Sequence, residues 1–289
     1  MKILLVNKYL YRKGGAETYF IKLGEYLKSL GNEVEYFGMA DERNCVGNRV
    51  EAYTENIDFH KKSLKHITYP FKIIYSVNAR KQIRKVLSNF KPDVVHLNNF
   101  NYQLTPSIIY EIKKHNIPIV YTAHDVQLVC PNHKLKNDYT DGLCRKCDGG
   151  KYFECVKNNC VHSSKIRSIL GAVEAWYYKL RHTYKMIDLT VCPSEFMEKE
   201  ISRNDDINGR TVTMYNFIDE IKPLGAECEN YVLYFGRYSE EKGISNLVKA
   251  AKKLSNIPFV FAGKGELENE VNSADNIKNV GFKTGDGLR

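Results

Sequence analysis

Two cations late in the sequence are spaced as a binding site for an anionic ligand would require. Residues 234–250 read YFGRYSEEKGISNLVKA, in which Arg237 ends an apolar run and Lys242 begins an amphipathic pattern. A strand that delivers both side chains to the crevice of an open α/β sheet would let them clamp a diphosphate. Arginine would supply a fork of donors and lysine a point charge. The alternative is an exposed loop with solvated charges.

Two adjacent glycines near the N-terminus suggest a second contact with phosphate. An apolar run at 2–7 leads through a short loop to Gly14 and Gly15, where a helical pattern begins. Glycine lets backbone N–H groups approach a phosphate, and a helix N-terminus presents unpaired donors. The spacing matches neither a Walker loop nor a GxGxxG fingerprint, so a plain tight turn is the alternative.

Five of the eight cysteines lie within one segment of the chain. They are Cys130, Cys144, Cys147, Cys155 and Cys160. A CxxC pair followed by a Cx4C pair resembles a small zinc knuckle, and we predict a structural zinc ion. Five thiols exceed the four positions of a tetrahedral site, so one would be free. Unbound thiols and an iron–sulfur cluster are the alternatives.

The net charge of +9 is concentrated in residues 60–91, which carry nine Lys and Arg residues, no Asp or Glu, and interleaved aromatic residues. This composition predicts contact with an anionic membrane surface or with nucleic acid. A solvated helix face is the alternative. The longest apolar runs are too short for a signal peptide or a membrane span. We therefore expect a cytoplasmic protein that contacts the inner face of the membrane peripherally.

Strand-like and helix-like patterns alternate along the chain, which predicts an α/β fold with parallel strands. We predict strands at 2–7, 33–37, 93–97, 117–122, 188–192 and 211–215, with helices at 15–30, 78–90, 104–115 and 163–185. A polar linker follows Asn216. Beyond it we predict strands at 231–235, 258–261 and 278–281, with helices at 244–254 and from 266 onward. The domains are predicted as 1–218, with a cysteine-rich insertion at about 126–162, and 219–289.

Seven short motifs follow one another in a characteristic order: KGGAETY, KPDVVHLNNF, YTAHD, CPSEF, NFID, GRYSEEKG and FAGKGE. This set resembles the retaining glycosyltransferases of the GT-B fold, family 4 type, over essentially the whole chain. The resemblance implies one complete Rossmann-like domain followed by a partial second one. It also implies that Arg237, Lys242, Gly14 and Gly15 contact the diphosphate of a nucleotide-sugar donor, and that His124 is the catalytic residue, near the transferred sugar and the acceptor.

The same resemblance implies the reaction. A sugar would pass from a nucleotide-diphosphate sugar to a glycan or lipid-linked acceptor with retention, in cell-surface polysaccharide synthesis, and catalysis would need no metal cofactor. Family members continue past Arg289 with an acidic E-x7-E motif, so we expect a C-terminally truncated chain with impaired activity. The alternatives are a catalytically inactive fragment and a nucleic-acid-binding protein with a zinc knuckle, although nucleic acid is the less favoured partner.

Overall fold

The computed structural model describes residues 1–56, 69–137, 142–218 and 229–283. The chain divides into two compact units, Met1–Ile218 and Asp219–Arg289. Residues 60–68 of the basic stretch lie outside the described residues.

The first unit is built on a six-stranded, fully parallel sheet with strand order β2-β1-β3-β4-β5-β6. Its strands are β1 (Lys2–Val6), β2 (Glu33–Phe37), β3 (Val94–Leu97), β4 (Ile119–Thr122), β5 (Leu189–Cys192) and β6 (Thr211–Thr213). Parallel strands need crossover connections, and helices supply them here. The predicted α/β fold is confirmed.

Seven α-helices lie in the described residues of this unit. They are α1 (Gly15–Ser29), α2 (Tyr69–Ile74), α3 (Val77–Phe90), α4 (Ser107–Lys114), α5 (Phe153–Lys157), α6 (Lys165–Leu180) and α7 (Glu195–Ile201). The alternation of side chains along β1 shows how they cover the sheet: Ile3 and Leu5 pack with α1, whereas Leu4 and Val6 pack with residues of α3 and α4. Both faces of the sheet are therefore covered at β1, as expected for a central parallel strand.

The prediction of a single long helix at 163–185 is wrong. Helix α6 begins after Ser164, whose Oγ accepts a bond from the Arg167 N–H, and it ends at Leu180. His182 adopts a left-handed backbone with φ of +47°, and a separate 3-10 turn covers Thr183–Met186. The ring of His182 is held by Asp206, with Nδ1 and Oδ1 2.7 Å apart. A contact with a residue 24 positions away thus stabilises the break.

Three short helices were not predicted. Helices α2, α5 and α7 span six, five and seven residues, which is too short for a reliable helical period. Helix α7 did carry one local signal: the Ser194 hydroxyl caps it by accepting a bond from the Met197 N–H at 3.2 Å, an N-cap preference that the sequence shows.

The second unit contains a three-stranded parallel sheet in the order β7 (Val232–Phe235), β8 (Phe259–Ala262) and β9 (Ile277–Asn279). Helices α8 (Ile244–Lys253) and α9 (Glu268–Val271) pack on it. Its core consists of Tyr238, Ile244, Val248, Ala251, Phe259, Phe261, Val271 and Ala274.

Among the described residues, no helix combines the length and the apolar character that crossing a bilayer requires.

Candidate active site

His124 lies just beyond the carboxyl end of β4, next to the end of β3. Its Nε2 donates a hydrogen bond to Oδ1 of Asn98 at 2.9 Å. Asn98 is the first residue after β3, and its backbone N–H bonds to the carbonyl of Val6 at 2.8 Å. Since adjacent parallel strands end at the same edge of a sheet, the fold itself brings these two side chains together. A proton on Nε2 leaves Nδ1 as a hydrogen-bond acceptor.

The imidazole of His124 is neutral at physiological pH. Burial lowers its pKa to about 4, and the nearby charge of Asp125 opposes this only in part. Burial also lowers the pKa of His96 to about 4; the Nε2 of that ring lies 2.7 Å from Oγ1 of Thr122. A neutral imidazole can donate or accept a hydrogen bond, but it adds no positive charge.

An aromatic side chain of α1 packs against His124. The ring of Tyr19 meets the imidazole edge-to-face with centroids 5.5 Å apart, and it also contacts Phe217 at 5.2 Å. Burial raises the pKa of Tyr19, although a hydrogen bond with Thr122 acts in the opposite direction. The first turns of α1 and the end of β4 therefore lie side by side.

Gly14 and Gly15 lie at the N-terminus of α1, and the fold requires neither to be glycine. Gly14 is the N-cap with an extended φ of −163°, and no side chain caps the helix. A Cβ added to Gly15 would meet nothing within 4 Å, and one added to Gly14 would lie 3.4 Å from the Glu17 carboxylate. The space in front of the first turn is open, as an approaching phosphate would need.

A polar network that the sequence did not reveal lies at the same edge of the sheet. Lys8 Nζ donates to Asn101 Oδ1 at 2.7 Å, and Nδ1 of His133 lies 3.2 Å from both Asn101 Nδ2 and Asp125 Oδ2. Burial lowers the pKa of Lys8 despite the attraction of Asp125. Burial by itself would raise the pKa of Asp125, but the hydrogen bond and charge of His133 hold it below its usual range.

These four residues come from three loops that follow β1, β3 and β4. Their spread from position 8 to position 133 explains why no local motif indicated them. Only Asp125, next to His124 in the YTAHD motif, stood close to a predicted site residue.

In the second unit, Arg237 and Lys242 follow the carboxyl end of β7. Gly236, with a left-handed φ of +147°, separates Arg237 from the strand. The loop is fixed by bonds from Gly236 N to Ala262 O and from Tyr238 N to Lys264 O, each 3.0 Å long. A Cβ on Gly263 would lie 1.9 Å from the Gly236 carbonyl, so this close approach does require glycine.

Both cations are exposed and weakly engaged. The Arg237 guanidinium is 66% exposed and lies 3.7 Å from the Glu241 carboxylate, which is a contact of little energetic value at a protein surface. Lys242 is exposed in the turn before α8. An anion could replace the Arg237–Glu241 contact at small cost.

Comparison with known proteins decides the family. Residues 13–221 match the model described as Glycosyltransferase Family 4, and residues 217–285 match the model described as Glycosyl transferases group 1. The chain belongs to glycosyltransferase family 4. A protein of Klebsiella pneumoniae described as an uncharacterized 42.6 kDa protein in the cps region is 25% identical over 280 residues, 91% of this chain and 68% of the relative.

Solved structures show the same fold. A sucrose-phosphate synthase from Thermosynechococcus elongatus superposes with a TM-score of 0.62 at 14% identity, over 98% of this chain and 70% of that one. Anabaena HepE in complex with UDP and glucose gives a TM-score of 0.57 at 16% identity over the same shares. The predicted GT-B type of fold and the predicted glycosyltransferase class are confirmed.

The structure groups the predicted site residues of this glycosyltransferase by unit. Gly14, Gly15 and His124 belong to the first unit, and Arg237 and Lys242 to the second. Their roles toward donor and acceptor stay predictions.

The cysteine-rich insertion of the glycosyltransferase brings its five cysteines around one cavity of about 10 Å³. The Asn137 side chain donates to Sγ of Cys144 at 3.2 Å, and burial raises the pKa of Cys147 to about 12. Arg145, between these cysteines, anchors the segment through Nε to the buried carboxylate of Glu200 at 3.1 Å.

In the described ranges, no group of three or more His, Cys, Asp or Glu side chains is placed to hold a metal ion. The zinc ion stays a prediction.

Proposed function

We propose that this glycosyltransferase moves a sugar from a nucleoside-diphosphate donor to a glycan or lipid-linked acceptor, with retention of configuration at the anomeric carbon. The observation that carries this proposal is the pair Arg237 and Lys242, which are exposed beyond the carboxyl end of β7; within the described part of the chain, the ion pair of Arg237 is a 3.7 Å contact with Glu241. A structural neighbour of the same fold was solved with UDP and glucose. In open α/β sheets this edge is where ligands bind.

The chemistry required of these cations is stabilisation of a leaving group. When the bond between the sugar and the diphosphate breaks, negative charge grows on the phosphate oxygens. The Arg237 fork can bond two of those oxygens and Lys242 another, each charge-assisted bond contributing on the order of 1.5–3 kcal/mol. Removal of one donor that acts on developing charge typically costs about 3 kcal/mol in the transition state. We propose that catalysis needs no metal ion because these cations supply the required charge.

We propose that the start of α1 also contacts the diphosphate and that His124 contacts the transferred sugar. The open first turn at Gly14 and Gly15 offers backbone N–H groups to the diphosphate. His124, neutral and fixed by Asn98, would orient a sugar hydroxyl through a hydrogen bond rather than transfer a proton.

The acceptor class rests on weaker support. The Klebsiella relative is described only by its place in the cps region, and we propose polysaccharide synthesis on that basis.

A binding experiment tests the donor site. We expect UDP, GDP or dTDP to bind the purified chain in isothermal titration calorimetry, and we expect Arg237→Ala and Lys242→Ala each to weaken the preferred nucleotide about 10- to 150-fold. The matched control is Lys249→Ala, an exposed lysine in the middle of α8, which should bind as well as the unaltered chain. Equal affinity in all three variants would contradict the proposal. The configuration of the transferred sugar, read by NMR, tests retention.

A further inference from the structure

Helix α6 exposes a row of large apolar side chains. Ile166, Ile169, Val173, Trp176 and Leu180 have exposed fractions of 73%, 43%, 40%, 36% and 79%. Their spacing of three and four residues places them in one narrow row along the helix. Ser168, Ala172 and Tyr178, on the other side of α6, are buried in the unit. We call the five exposed residues the α6 row.

Cations border the α6 row at both of its ends. Lys165 and Arg167 lie at the start of the helix and Lys179 at its end. Arg181 follows, with its guanidinium over the Tyr110 and Tyr177 rings. The single acidic residue of α6 is Glu174. Long basic side chains beside an apolar row can reach a layer of anionic head groups while the apolar groups enter below them.

The described part of the basic stretch packs on the buried side of α6, away from the α6 row. Helix α2 packs against α6, and the Tyr178 hydroxyl donates to the carbonyl of Ile74. Lys72 of α2 is exposed. Arg80 and Arg84 are engaged with the buried Glu111 carboxylate, so part of the charge counted in the sequence serves the fold.

We propose that the α6 row is a docking surface for an anionic lipid bilayer, on which the helix lies in the plane of the interface. A second copy of the chain is the competing occupant of an apolar row at this spacing. Both ends of the row are basic, so pairing of two α6 helices, whether parallel or antiparallel, would bring like charges together. An anionic surface instead complements both ends. This inference goes beyond the proposed reaction, and its test does not rely on activity.

The single tryptophan of the chain provides a fluorescence signal for the test. Trp176 is the only tryptophan, and it lies within the α6 row with Nε1 bonded to the Gly150 carbonyl at 2.9 Å. The full chain is mixed with phosphatidylcholine vesicles, or with vesicles that also contain 30–40% phosphatidylglycerol, roughly the charge needed for a strongly anionic surface. We expect co-sedimentation and a blue shift of Trp176 emission with the anionic vesicles only, and weaker binding at high salt.

Two leucine variants distinguish docking through the α6 row from nonspecific adsorption of exposed leucines to vesicles. Leu180→Ser removes the most exposed member of the α6 row, while Leu30→Ser changes a 60% exposed leucine at the end of α1, which packs on the opposite face of the sheet. We expect Leu180→Ser, combined with Ile166→Ser, to weaken vesicle binding at least tenfold and Leu30→Ser to leave it unchanged.

Three results would overturn the proposal: no binding to anionic vesicles, equal binding to neutral vesicles, or unchanged binding by the Ile166→Ser/Leu180→Ser chain. A dimer in light scattering that this double variant dissociates, with vesicle binding unaltered, would assign the row to a second copy. Circular dichroism melts of all variants check that the fold is intact.

Discussion

Replacement of Gly15 by alanine should separate ligand binding from folding at the start of α1. The added Cβ meets nothing within 4 Å, and Gly15 is the first residue of the helix. Alanine is better than glycine within a helix by up to about 1 kcal/mol, because it restricts the unfolded backbone. We therefore expect the free energy of unfolding of Gly15→Ala to be unchanged or raised by up to about 1 kcal/mol.

Donor binding should respond in the opposite direction. The new methyl group would occupy the open space through which a phosphate reaches the N–H groups of the first turn. Loss of one charge-assisted hydrogen bond costs on the order of 1.5–3 kcal/mol, which corresponds to about 10- to 150-fold weaker binding of the nucleoside diphosphate.

The other end of the same helix provides the control. A Cβ on Gly31 would also meet nothing within 4 Å, but the backbone there has φ of +81°. Gly31→Ala should lose about 1–2 kcal/mol of stability and keep its nucleotide affinity. Urea denaturation and calorimetry measure the two quantities for both variants. If Gly15→Ala folds normally and binds within twofold of the unaltered chain, α1 does not contact the diphosphate.

Further predictions concern histidine, pH and metal. His124→Ala should lower the transfer rate about 100-fold while nucleotide affinity, measured by calorimetry, stays the same. The pKa values of His96 and His124 are lowered to about 4, so the stability they contribute is complete above pH 6.5 and is lost as pH falls from 6.5 to 4. Burial raises the pKa of Glu174 to about 7, so protonation of this carboxyl group stabilises the fold as pH falls from 7 to 4.5. Glu174→Gln removes that gain, and urea denaturation of this variant should therefore show a steeper loss of stability on acidification. Elemental analysis should find one zinc ion per chain, absent after Cys144→Ser with Cys147→Ser; a zinc-free chain would refute the metal prediction.

The strands could be predicted from the sequence because buried strands appear as short apolar runs bounded by polar turns. Every predicted strand lies within two residues of an observed one. Where the prediction failed, a distant contact decided the local structure. The end of α6 at Leu180 depends on the left-handed backbone of His182 and its bond to Asp206, and no pattern within residues 163–185 contains that information.

The same distinction applies to the candidate site. Position after a strand made Arg237 a candidate, and the family resemblance added His124 at the end of another strand; the fold class fixes where those strands end, while the roles of both residues stay predictions. Sequence could not indicate that Asn98 holds His124, or that Lys8 is joined to Asn101. These contacts join loops that meet only when parallel strands align in register.

The two units offer different kinds of chemistry, and this difference predicts a flat pH profile for transfer. The first unit presents a neutral imidazole, since His124 has a pKa of about 4, and its Lys8 ammonium is bound to Asn101 near the Asp125 carboxylate. In the proposed mechanism, the positive charge that stabilises the leaving diphosphate comes from the exposed Arg237 and Lys242.

The transfer rate from a nucleotide sugar should therefore change less than about threefold between pH 6 and 8, because His124, with its pKa lowered to about 4, stays neutral throughout that range. Burial raises the pKa of Glu174, on α6, to about 7, so Glu174→Gln serves as the control for effects of that carboxyl group. A rate that falls tenfold between pH 7.5 and 6, in both the unaltered chain and Glu174→Gln, would mean that a histidine takes part as a proton carrier. The assignment of His124 as a neutral orienting group would then be wrong.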